Sequence, residues 1–78
     1  MMKFIGEIEL DIDIKDMSGD FMNAHELEYD NNRLYKFDTK IAKSKEVEII
    51  KHSLQSEIIS WLSSMSIGVT VDLQEGDS

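Results

Sequence analysis

Residues 6–14 read Gly6-Glu7-Ile8-Glu9-Leu10-Asp11-Ile12-Asp13-Ile14, and the side chains change character at every step. Ile8, Leu10, Ile12 and Ile14 alternate with Glu7, Glu9, Asp11 and Asp13. A strand turns successive side chains to opposite faces, so this alternation predicts a β-strand with one face in the core and the other in water. Residues 16–20, with Ser18-Gly19 among them, read as a turn or loop.

Working outward, the next pattern predicts a hairpin. Leu27 and Tyr29 alternate with Glu26, Glu28 and Asp30, and Tyr35 and Phe37 alternate with Lys36 and Asp38. Asp30-Asn31-Asn32-Arg33 between them is a turn signal, because Asn tolerates positive φ. A two-residue loop at Asn31-Asn32 sets Leu27 opposite Lys36, which puts a charge on the apolar face. A three-residue loop sets Tyr29 opposite Tyr35, Leu27 opposite Phe37 and Glu28 opposite Lys36. Cross-strand pairing favours the second register.

Spacings of three and four then predict a helix over 44–66. Val47, Ile50, Leu54, Ile58, Trp61, Leu62 and Met65 form one apolar stripe. Ser44 is placed to cap it, Glu46 and Glu48 suit its N-terminal dipole, and Gly68 marks its stop. Ile67, Val69, Val71 and Leu73 alternate with Thr70, Asp72 and Gln74, predicting a fourth strand. The expected fold is α+β: a β-β-β-α-β order with a four-stranded, mainly antiparallel sheet and one helix packed on one face. Residues 1–78 are expected to form a single domain, frayed at 1–3 and 75–78.

Composition narrows the function classes. Apolar residues are 41% of the 78, enough for a globular chain, and there is no cysteine for a disulfide or thiolate site. Sixteen acids against eight Lys and Arg leave a formal charge of −8, which argues against direct binding to nucleic acid. The N-terminus lacks the apolar stretch of a secretory signal, and no run is long enough to span a membrane. The expected location is the cytoplasm, or a host cytoplasm for a phage-encoded protein.

Catalytic templates lack their parts. No Cys nucleophile, phosphate-binding glycine loop or serine triad is present, and His25 and His52 are read as structural or solvated. The acids near Asp11 fail a calcium-loop pattern, which needs an oxygen ligand and a glycine where Lys15 and Asp16 stand. No enzyme activity, cofactor or metal is expected.

Two surfaces remain. Glu7, Glu9, Asp11 and Asp13, with Glu26, Glu28, Asp30, Asp38 and Asp72 and the single Lys36, are expected on the sheet face that the helix leaves uncovered. That face suits a protein partner with a basic surface, which it would draw in electrostatically. Small, acidic, cysteine-free proteins without catalytic parts look like accessory proteins of phages and other mobile elements. Some of those inhibit nucleic-acid-handling machinery by presenting DNA-like charge. The second surface is the back of the helix, where Ser53, Ser56, Ser60, Ser63 and Ser64 surround Ile49 and Ile59. Small residues let another backbone approach closely, so the alternative is a structural or assembly subunit that forms a homodimer through Ile49, Ser56, Ile59, Ser60 and Ser63. Lys40, Lys43, Lys45 and Lys51 cluster at the helix start, where they orient an interface rather than drive one.

Overall fold

Two successive two-residue turns shape the middle of the chain in the computed structural model, which describes residues 1–76. Strand β1 (Leu27–Asp30) turns through Asn31 and Asn32, at φ 51° and 60°, into β2 (Arg33–Lys36). β2 turns through Phe37 and Asp38, at φ 51° and 63°, into β3 (Thr39–Lys40). Positive φ at both central residues is what tight hairpins require, because that turn matches the twist of the strands it joins. The result is an antiparallel sheet of order β1-β2-β3.

The register is that of the two-residue loop, with Leu27 opposite Lys36, Tyr29 opposite Leu34 and Asp30 opposite Arg33. This corrects the three-residue loop expected from side-chain pairing. The anticipated objection, a lysine on the apolar face, is met by the length of that side chain. Lys36 sits half-buried at the margin with its ammonium 5.9 Å from the centre of the Phe37 ring.

Helix α1 (Gly19–Ala24) precedes the sheet, its first two residues falling in the turn or loop expected over 16–20. Ser18 caps it, its Oγ accepting the Phe21 N–H at 3.2 Å. α1 packs against β1 and buries Met22. Met22, Leu27, Leu34, Ile41 and Ile50 make up the core, with Leu34 at 0% exposure.

Helix α2 (Glu46–Ser63) follows a 3₁₀ turn, Lys43–Lys45, and its N-terminal residue makes no side-chain cap, so Ser44 does not serve as one. Lys51 hydrogen-bonds Glu48 at 3.2 Å and, with His52 at 3.3 Å, holds that carboxyl below its ordinary value. The helix stops at Ser66, not Gly68. Ser66 has φ 61°, its N–H donates to the Ser63 carbonyl, and the Ile67 N–H reaches back to Leu62 at 3.0 Å. That pair of bonds is a Schellman stop.

α2 keeps the middle of its expected stripe inward: Ile50 is buried, Leu54 packs on the core, and Ile58 and Leu62 are half-buried, while Val47, Trp61 and Met65 are exposed. Ile49, Ile50 and the buried Ser53 turn toward the sheet, and the Ser53 hydroxyl donates to the Ile49 carbonyl at 3.0 Å. Val47 is exposed and Trp61 is 64% exposed. Lengths explain the mismatch: 18 residues of helix span about 27 Å, whereas a four-residue strand covers about 13 Å. The helix outruns the sheet, and only its first half has a core beneath it. His25 Nε2 ties the end of α1 to Glu57 Oε2 on α2 at 2.6 Å.

Residues 6–14 and 67–74 belong to no strand among the described residues, so the first and fourth expected strands are absent; the third strand of the sheet is the unexpected Thr39–Lys40, reached because Phe37 and Asp38, expected within a strand, form the turn before it. Residues 14–16 form a 3₁₀ turn closed by Asp13, whose Oδ1 accepts the Lys15 N–H at 3.0 Å. Asp77 and Ser78, part of the expected C-terminal fraying, lie outside the described residues.

Leu34→Ala is expected to cost about 2–5 kcal/mol, comparable to the roughly 3–5 kcal/mol a core of this size supplies. Urea denaturation followed by circular dichroism should show the cooperative transition lost or moved close to zero denaturant. Phe37 is 67% exposed and held at positive φ, a conformation that costs a bulky residue about 1–2 kcal/mol. Phe37→Asn is expected to raise the thermal midpoint, and a lower midpoint would show that the ring is worth more than the strain.

Candidate functional site

The two strand-patterned segments that the sheet omits meet at the long helix. An open groove of about 650 Å³ is lined by Ile8, Leu10, Ile12 and Ile14 from the N-terminal segment, by Val47, Ile50 and Leu54 from α2, and by Leu73 from the C-terminal segment. The Schellman stop turns the chain back along α2, and the Leu73 N–H donates to Gln55 Oε1 at 2.9 Å. Val69, Val71 and Leu73 are half-buried while Thr70, Asp72 and Gln74 are exposed, so the returning segment keeps its two-faced character without a sheet.

The N-terminal segment is less covered. Ile8 is 67% exposed, and Leu10 and Ile12 are exposed as well. No backbone N–H or carbonyl of residues 1–12 has a backbone hydrogen-bond partner among the described residues. The chain exposes 6650 Å² in all, whereas a compact 9.0 kDa protein exposes about 4,850 Å². Its radius of gyration is 14.1 Å, against about 11.5 Å for a compact chain of 78 residues.

The expected acidic residues fall into two groups. Glu9 and Asp11 line the groove with Asp72 and Glu75, facing one cation there, Lys51. Glu7 is exposed on the same segment, and Asp13 is engaged in closing the 3₁₀ turn. Glu26 and Glu28 line a separate hollow beside Tyr35, Phe37 and Asp38. Because residues 6–14 are not a sheet strand, their acids do not share a sheet face with Glu28 and Asp30. That face also carries Arg33, Tyr35 and Lys40, by the observed register, and its charge is mixed. None of Glu7, Glu9, Asp11, Glu26 or Glu28 makes a salt bridge among the described residues.

The expected dimer face divides too. Ser56, Ile59, Ser60 and Ser63 are exposed, whereas Ile49 packs on the core and Ser53 is buried. The groove itself was not foreseen. Its signal was available in the two period-2 segments at the chain ends, which were assigned to a sheet instead.

Among the described residues no group of three or more His, Cys, Asp or Glu is placed to hold a metal ion, and no helix is long and apolar enough to cross a membrane. The groove brings together apolar side chains, the carboxylates of Glu9, Asp11, Asp72 and Glu75, and the backbone of residues 8–12, which has no backbone hydrogen bonds among the described residues. A neutral solvatochromic dye such as Nile red is expected to brighten on the native protein. Leu10→Ser with Ile12→Ser should remove most of that signal at an unchanged thermal midpoint, and full brightness in the double variant would place the dye elsewhere. No family model, curated protein or solved structure matches this chain.

Proposed function

We propose that this chain is a non-catalytic binding protein that engages a protein with a basic surface through its acidic N-terminal segment. One observation carries the reading: Glu7, Glu9 and Asp11 are exposed, lack a salt-bridge partner among the described residues, and sit on backbone committed to no sheet. At −8 the chain repels itself, and a cationic partner relieves that repulsion. An inhibitor that occupies a nucleic-acid-binding site, with carboxylates standing where phosphates would lie, is one form of this reading. Ser56, Ile59, Ser60 and Ser63 remain exposed on α2, and self-association there is the second reading, on a smaller patch now that Ile49 and Ser53 face the core.

Glu7→Gln, Glu9→Gln and Asp11→Asn together test the first reading, with Asp13 left in place because it closes the turn before α1. The triple variant is expected to keep the parent's thermal midpoint. It should lose capture of any protein that the parent retains at low salt and releases as salt rises. Equal capture by both proteins across the salt series would defeat the reading.

A further inference from the structure

We infer that the groove between residues 8–14, α2 and residues 72–76 receives an extended peptide segment of alternating apolar and basic residues, which adds as a strand to residues 6–12. The inference rests on the reading above and gives it a mode of binding.

Three features point to an extended occupant. The backbone of residues 6–12 has none of its hydrogen-bonding groups paired with other backbone among the described residues, and a strand laid alongside satisfies them. Apolar side chains line the groove chiefly from two sides, Leu10 and Ile12 and, across from them, Val47 and Leu54, with Leu73 the one apolar side chain on the third. An occupant with an apolar residue at every second position matches that interior, because a strand sends alternate side chains to one face. A helix would bury its apolar stripe there and leave the exposed backbone unpaired.

Charge selects among strands. Glu9, Asp11, Asp72 and Glu75 stand at the groove against Lys51. A second copy offers as its own strand-patterned segments residues 6–14, with four acids, or residues 67–74, with Asp72 and no cation. Either brings no compensating charge, and the first brings like charges into register, which is destabilising between neighbouring strands. A segment whose outward residues are Lys or Arg places cations beside the carboxylates.

The probe is an acetylated, amidated peptide of alternating lysine and valine, about eight residues long, enough to run beside residues 6–12. Its controls are a block-ordered peptide of the same composition, an alternating glutamate-valine peptide, and two lysine-valine peptides N-methylated at lysine or at valine. Binding to the full chain is followed by calorimetry and by amide hydrogen exchange. The alternating peptide is expected to bind, to slow exchange of the amides of residues 7–12 about tenfold, and to lose about tenfold in affinity when one of the two N-methylated phases is used. Leu10→Ser with Ile12→Ser is expected to weaken it likewise.

If the block-ordered and both N-methylated peptides bind as tightly as the parent peptide, strand addition is overturned while the basic-partner reading survives. If the glutamate-valine peptide binds as well, both fail. Absence of any peptide binding, alongside salt-sensitive capture that depends on Glu7, Glu9 and Asp11, removes the inference alone. Concentration-dependent dimerisation that protects the same amides without peptide makes the occupant a second copy and overturns the inference.

Discussion

Leu34 is entirely out of water, and it can be so only because the chain reverses direction on both sides of β2 within two residues each time. Asn31, Asn32, Phe37 and Asp38 take up left-handed backbone to make that possible. Both partner strands then come up against β2, Leu27 and Ile41 close over Leu34, and α1 and α2 complete the cover with Met22 and Ile50. A longer loop on either side would change the register and move the side chains that enclose it. The core has few residues, so each contributes a large share of what keeps the chain folded.

That economy has a cost elsewhere. A sheet of short strands covers only part of α2, and the remaining apolar surface of the helix needs something else. The chain supplies it incompletely: residues 67–74 return along the helix and half-bury Val69, Val71 and Leu73. Residues 8–14 approach the same helix and leave Ile8, Leu10 and Ile12 in contact with water. The groove and its unpaired backbone are thus the geometric remainder of a long helix set on a small meander.

The α+β class, the central hairpin and the long helix were legible in the sequence, because each is a local pattern. Leu27 and Tyr29 alternate whatever they face, and α2 differs from its expected span by two residues at its start and three at its end. What periodicity does not carry is the neighbour. Residues 6–14 alternate as a half-buried strand does, yet they pair with neither β1 nor β3, the two edge strands of the sheet. The register was misread because side-chain pairing was weighed above the Asn-Asn pair, whose tolerance of left-handed backbone decided the loop. Ile50, Leu54, Ile58 and Leu62 of the expected stripe do turn inward, but Ile49 and Ser53 join them, the Ser53 hydroxyl being satisfied within the helix by the Ile49 carbonyl. Glu9 and Asp11 lie at the groove and not on the sheet face expected for them.

The sequence-local wiring of the meander also has a kinetic side. Strands joined by two-residue turns close small loops, and contacts between near neighbours in the chain form fast. During synthesis residues 6–14 leave the ribosome before any of the meander exists, and they stay unpaired after it has formed. An unpaired strand with four aliphatic side chains is the kind of segment that associates with copies of itself. A carboxylate at every second position, as at Glu7, Glu9, Asp11 and Asp13, opposes that association by like-charge repulsion.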